Sequence, residues 1–479
     1  MNRPRFSVQV FWLSAALYCL QCSKALRIAP LYDDWPLIVG AERCLSGDGV
    51  VRGLLNFFES PLFIMWRPLH VMHFALADGE SLFWVQLVKL AAILICGLSL
   101  VWSARAIGLS RPASYIAGAV LFLHQCQVLG GEPDLMGDVI VTLSAILVVG
   151  LVGQYAYGKR PARDYAALTG LLTAFACMGK EAGVMIPVIP LVAWAIRDRR
   201  ALSARNGHMY AIAVSAAVVA AYLTIRTLVL GLPLSDSGSD WSFHYGGNIL
   251  YNIALISGAL ICPVSTIQIF LRNTPLTILA VVCSAVVAGL LIYGVLRLRK
   301  DENLKRVMWL VILFVLMQGP ALLFEHTNER NFSRSLPLGI LACSFAVSAI
   351  WKRSRAGVKL MLVSLLGVWI VLSQAATYDK IDAIMRMHAR GTDFLDQVQH
   401  LMPTPPDRPI LFACESAPQG YSEYDQPFWV FMPGTSDLGL QHRYHAPGFR
   451  SDFVVVDSLA ASPDADFWVS KDGKVARSR

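Results

Sequence analysis

Apolar runs about as long as a bilayer is thick recur along most of this sequence, and they decide what it can fold into. The stretches 276-LTILAVVCSAVVAGLLIYGVL-296 and 358-VKLMLVSLLGVWIVLSQAA-376 each approach the roughly 20 residues that a helix needs to cross the hydrocarbon core. Within lipid every backbone N–H and C=O must find a partner inside the protein, so such runs fold as helices. Charged residues make up 15% of the 479, against about 25% in soluble domains, and the mean hydropathy is +0.52. The sequence therefore reads as an all-α polytopic membrane protein and excludes an ordinary cytosolic enzyme.

Eleven spans are expected, near residues 7–23, 83–104, 113–129, 136–157, 165–179, 182–196, 209–230, 276–296, 307–324, 334–351 and 358–376. Charge then sets their orientation. The loops at 3–5, 105–111, 159–164, 197–205, 297–306 and 352–359 carry 20 of the 31 basic residues before residue 377, against four acids. Such loops stay cytoplasmic by the positive-inside rule, and this distribution is not a nucleic-acid footprint. The N-terminus is expected inside. A long first outer loop (24–82), the segment 231–275 and the C-terminal region are expected outside, in a bacterial inner membrane. The stretch 249-ILYNIALISGALICPVSTIQIF-270 is read as re-entrant, broken near Pro263, because a further crossing would carry the basic loop at 297–306 outside. Arg3 and Arg5 before an apolar run also resemble a signal peptide, which leaves residues 24–82 outside in either case.

Two domains are expected, a transmembrane domain over 1–376 and an extracytoplasmic C-terminal domain over 377–479. The second holds ten Lys/Arg and fourteen Asp/Glu. Its amphipathic stretch 379–402 predicts a helix. The short runs PILFACE, PFWVFMP, SDFVVVDS and DFWVSKDGKV predict strands of a small soluble α/β unit, with a turn at Asp472-Gly473. The ten cysteines lie almost all in apolar runs and read as small buried hydrophobes rather than a disulfide framework. Cys19 and Cys22 are one helical turn apart, and only Cys44 and Cys414 stand outside such runs.

Candidate chemistry gathers at the outer ends of the spans. Asp33 and Asp34 are paired carboxylates on the first outer loop, suited to take a proton from an acceptor hydroxyl or to ligate a metal. In 66-WRPLHVMHFAL-76, Arg67, His70 and His73 are placed at headgroup level. Glu132 and Asp134 sit in the turn between the third and fourth spans. Asp138 lies one helical turn inside an apolar span, where a carboxylate costs roughly 2.5–3.5 kcal/mol and so faces a polar cavity or a partner. Lys180 and Glu181 form a turn, where they either neutralise each other or serve a site. Arg226 stands within an apolar span, and the turn 325-EHTNERNFSRSLP-337 adds Glu329, Arg330 and Arg334. Guanidinium and ammonium groups at headgroup depth suit a phosphate, and a carboxylate base beside them suggests group transfer from a lipid phosphate.

DDW at 33–35, WRPL at 66–69, GGEPDLM at 130–136, GKEAGVMIP at 179–187, IRTLVLG at 225–231 and NERNFSRSLPLG at 328–339 together resemble, in this order, the GT-C superfamily of polyprenyl-phosphate-sugar-dependent glycosyltransferases. The resemblance covers about residues 1–350 and is nearest the transmembrane O-mannosyltransferase-like branch and its bacterial relatives. It implies a GT-C fold and inverting transfer of a sugar from a polyprenyl-phosphate donor to a glycan, lipid or protein acceptor on the outer face. Asp33 or Asp34 would be the catalytic base, and Lys180, Arg226, Arg330 and Arg334 the donor-phosphate ligands. Arg67, His70, Glu132, Asp134, Asp138, Glu181 and Glu329 are the other site candidates. The chain departs from the branch in carrying Glu132 where a basic residue is usual, in lacking histidines in 84-WVQLVKLAAIL-94, and in having no tetratricopeptide repeat. No cofactor is implied with certainty, and the metal question stays open. The competing readings are an O-antigen-type polymerase or ligase and a transporter or lipid flippase.

Overall fold

The computed structural model describes residues 3–30, 34–46, 50–59, 66–127, 132–196, 202–231, 244–264, 275–298, 302–324, 329–415, 436–446, 449–456, 464–470 and 474–478. Seven helices among these are long and apolar enough to cross a membrane, and the protein is an integral membrane protein. These seven coincide with the expected spans near 7–23, 83–104, 136–157, 209–230, 276–296, 334–351 and 358–376, whereas those expected near 113–129, 182–196 and 307–324 meet helices of 13, 9 and 14 residues. Helices α1 (Arg3–Cys22), α5 (Phe83–Ala106), α6 (Arg111–Leu123), α7 (Met136–Ala156), α8 (Ala162–Gly179), α9 (Val188–Ile196) and α10 (Leu202–Thr224) precede α11 (Gly247–Ile261), α12 (Pro275–Arg297), α13 (Asn303–Leu316), α14 (Leu336–Arg353) and α15 (Ala356–Leu401). The first long loop contributes α2 (Asp34–Leu45), α3 (Val50–Glu59) and α4 (Pro68–Phe74). Helix α11 stops two residues before Pro263, whose ring disfavours helical backbone in the residue ahead of it. At 15 residues it reaches about 22 Å, short of a bilayer core of about 30 Å.

Helix α7 is the axis of the bundle. Its most apolar stretch is 83% buried, whereas that of α12 is 17% buried and turns most of its surface outward. A Cβ on Gly153 of α7 would lie 2.6 Å from the Ala106 backbone at the end of α5, so the two helices meet backbone to backbone, the close approach that small residues permit in membranes. Around this contact Leu100, Ala104, Val141, Ile146, Val149, Leu310 and Leu341 form one continuous apolar core.

The last span and the amphipathic stretch after it, read from sequence as two helices, are one helix of 46 residues, about 69 Å long. No proline interrupts 356–401, and Ala376, Thr377, Lys380, Ile381 and Ile384 continue a single buried stripe across the expected break. Beyond it, β1 (Ile410–Glu415), α16 (Ser436–Tyr444), β2 (Ser451–Val456), β3 (Phe467–Val469) and β4 (Val475–Arg477) build a four-stranded sheet in the order β2-β1-β3-β4. Strand β1 runs parallel to β2 and β3, with Phe412 opposite Phe467, and β4 returns antiparallel with Val475 opposite Val469. The expected strand PFWVFMP and the Asp472-Gly473 turn lie outside the described residues.

This C-terminal unit shares its core with the first loop. Trp35, Ile38, Phe57, Phe74 and Leu82 pack with Phe394, Val398, Phe412, Leu440 and Phe467 in one buried cluster. Polar ties reinforce it: Arg443 pairs with Glu80 at 2.7 Å and also with Asp396, and a His388 ring nitrogen lies 2.6 Å from the Ala29 carbonyl oxygen. The helix that begins with Asp34 is therefore held from two sides, by the membrane bundle and by the sheet unit.

Candidate functional site

The site is built where α7 and α8 touch. A Cβ on Gly137 would lie 2.6 Å from the Gly179 carbonyl oxygen, and one on Gly179 would strike Ile140. That contact brings the following residue of each helix face to face, and Lys180 Nζ donates to Asp138 Oδ2 at 2.6 Å. Asp138 also pairs with Arg334, whose Nε lies 3.0 Å from Oδ1. Arg334 comes from the segment just before α14 and donates to Asn331 as well.

Lys180 is extended (φ −160°, ψ 151°) and Glu181 opens a 3₁₀ turn, so these neighbours diverge instead of neutralising each other. Glu181 accepts a bidentate pair from Arg67, Nε to Oε1 at 3.0 Å and Nη2 to Oε2 at 2.7 Å, and Arg226 Nη1 lies 3.1 Å from its Oε1. Arg226 sits in a π-helical turn over Ile225–Val229 at the end of α10, a local widening frequently found at functional sites. Its Nη1 also meets the Tyr222 hydroxyl at 3.5 Å, and the Tyr222 ring stacks on Trp66 with centroids 5.3 Å apart.

Among the described residues, four cations (Arg67, Lys180, Arg226, Arg334) thus surround two carboxylates (Asp138, Glu181). Side-chain exposure is 1% for Asp138, 5% for Arg334 and 8% for Arg226, against 18% for Arg67, 22% for Lys180 and 28% for Glu181. Asp138 and Arg334 are the deepest members of the network, and Glu181, Lys180 and Arg67 are the more exposed ones. Excess positive charge in a partly desolvated place is a standing demand for an anion.

A second cluster adjoins it. Lys89, fully buried on α5, donates to the Glu132 backbone carbonyl and has the Asp34, Glu132 and Asp134 carboxylates within electrostatic reach. The turn it holds, Pro133–Leu135, runs directly into α7 and so into Asp138. Asp34 heads α2 at 2% exposure, where the helix N-terminus favours a negative charge. Sequence reasoning missed Lys89, although a lone lysine in the apolar run 84–94 is the same signal that singled out Asp138.

His70 and His73 project from α4. His73 is a core histidine, 2.7 Å from the Val85 carbonyl oxygen through Nε2, and burial lowers its pKa to about 4. His70 is 3% exposed and adjoins the network, with its Nδ1 3.3 Å from where a Gly137 Cβ would stand. Asp33 lies outside the described residues, as do the side chains of Glu329 and Arg330, whose backbone forms a single helical turn, Glu329–Phe332. Among the described residues no three His, Cys, Asp or Glu side chains are arranged to hold a metal ion.

No family model and no curated protein matches the sequence. Among solved structures the chain is similar to ArnT from Cupriavidus metallidurans in the apo state (TM-score 0.55, 15% identity, covering 97% of this chain and 96% of that one). It is similarly related to the same protein bound to undecaprenyl phosphate (TM-score 0.54, 13% identity, 98% and 97%). A more distant likeness, to the Archaeoglobus fulgidus oligosaccharyltransferase, has a TM-score of 0.48 at 10% identity, over 93% of this chain and 63% of that one. At these identities the likeness is one of fold.

Proposed function

We propose that this chain, which has the GT-C glycosyltransferase fold, moves a sugar from a polyprenyl-phosphate carrier to an acceptor on the extracytoplasmic face. The observation that carries the reading is the charge of the Asp138–Lys180–Arg334–Glu181–Arg67–Arg226 network. A polyprenyl-phosphate sugar is a phosphodiester with one negative charge, and the phosphate it leaves behind is a monoester that approaches two. Cations fixed in this network therefore bind the departing phosphate more strongly than the donor. Differential binding of that kind lowers the barrier, and oriented charges in a water-poor site supply it without reorganisation.

The base is assigned to Asp33 or Asp34 at the start of α2. One of them takes the proton of the acceptor hydroxyl while its oxygen attacks the anomeric carbon. The bond from that carbon to the phosphate oxygen breaks in line, its electron pair passing to the phosphate, and a single displacement inverts the anomeric centre. Lys89 holds the turn that leads to Asp138, so the base region and the phosphate region are braced through one segment. The face follows from the basic loops at the other ends of the helices. The resemblance of ArnT bound to undecaprenyl phosphate in backbone supports a lipid-phosphate ligand.

Mass analysis of cell-envelope glycans tests this in a deletion strain carrying either the wild-type gene or Lys180→Ala. Loss of one glycosyl increment on deletion, restored by wild type and not by the variant, is expected. An unchanged glycan profile on deletion would overturn the reading.

A further inference from the structure

Buried polar side chains normally find partners, because leaving a donor unmade inside a protein costs about 1–3 kcal/mol. His70 does not: it is 3% exposed, and neither ring nitrogen has a hydrogen-bond partner among the described residues. His73, one turn along the same helix, has its Nε2 on the Val85 carbonyl, so α4 holds one histidine with a ring nitrogen placed on the backbone and one with neither placed among the described residues. The difference is position. His70 lies beside the α7–α8 contact with Nδ1 against Gly137, and Arg67, Lys180 and Asp138 are among its electrostatic neighbours. Burial, then the Arg67 charge, holds its pKa well below the usual imidazole value, so the ring is neutral and keeps one N–H to give.

We infer that the His70 ring N–H donates to a non-bridging oxygen of the lipid phosphate held by the Lys180–Arg67 network, as a further phosphate-binding residue. The inference rests on the reading of that network as a lipid-phosphate site. A neutral donor here adds a directional contact without adding a fifth cation to four that already repel one another.

The test is the affinity of purified full-length protein in lipid nanodiscs for undecaprenyl phosphate, with undecaprenol as the phosphate-free control. Wild type, His70→Gln, His70→Phe and Lys180→Ala are compared. His70→Phe should bind undecaprenyl phosphate about tenfold more weakly, the scale of one hydrogen bond to a charged group. His70→Gln, which keeps an N–H, should stay within about twofold of wild type. Undecaprenol should bind all of them alike. If His70→Phe binds undecaprenyl phosphate like wild type while Lys180→Ala weakens it, the His70 assignment fails and the network reading stands. If neither variant matters, both fail. Weaker binding of undecaprenol by His70→Phe would mark the loss as structural and overturn the assignment.

Discussion

Replacing Asp138 by Asn removes one negative charge from between Lys180 and Arg334 while keeping the shape of the side chain. Asp138 is 1% exposed and lies 2.6 Å from Lys180 and 3.0 Å from Arg334, and Arg334, itself 5% exposed, has little water to fall back on at that contact. Removing one partner of a buried pair typically costs about 3–5 kcal/mol, because the remaining charge stays buried and uncompensated. Here two cations lose their counter-charge and the network gains one unit of positive charge. Thermal unfolding in nanodiscs should show the variant melting well below wild type. A phosphate that binds this network supplies the missing negative charge, so undecaprenyl phosphate should recover more stability in the variant than in wild type. Ligand at a hundred times its Kd adds about 2.7 kcal/mol, enough to restore most of the loss. Undecaprenol should recover none of that difference. A variant that melts with wild type, or recovery by undecaprenol as large as by undecaprenyl phosphate, would refute the reasoning.

Asp33→Asn and Asp34→Asn keep shape and remove basicity; at least one should lower the transfer rate by about 10²–10⁴ with binding of undecaprenyl phosphate unchanged, and wild-type rates in both would move the base elsewhere. His70 has a lowered pKa in the folded state, so the unfolded chain takes its proton first as pH falls. Its neutral burial stabilises fully above about pH 6.5 and is lost progressively below that, and a melting profile over pH 5–8 should therefore flatten in His70→Phe. Alkaline-phosphatase fusions after Leu401 should be active and fusions after Arg200 inactive, because the loop charges fix the orientation; the reverse pattern would put the site on the cytoplasmic side.

How much of this was legible in the sequence depended on the range of the interaction. Seven of the eleven expected spans were, because lipid forces each apolar run to satisfy its own backbone. Asp138 was, since a carboxylate in an apolar helix announces a partner. That Lys180 and Glu181 serve different partners was not: sequence adjacency suggests a pair, and only the extended backbone at Lys180 separates them. Lys89 was visible as a lone charge, but its meaning required knowing that the Glu132 turn folds back onto α5. The shared core of Trp35 with Leu440, and the Glu80–Arg443 pair 363 residues apart, join segments whose meeting no local pattern encodes. Helix α15 shows the opposite failure, where a change from apolar to amphipathic composition suggested a break that the backbone had no proline to make.

The claim that a lipid phosphate occupies the charged network is tested most directly by an experimental structure of the full chain in nanodiscs with undecaprenyl phosphate. Phosphate density within hydrogen-bond reach of Lys180 Nζ and the Arg67 guanidinium is the predicted result. Phosphate density at the opposite ends of the helices, beside the basic loops, would contradict the account.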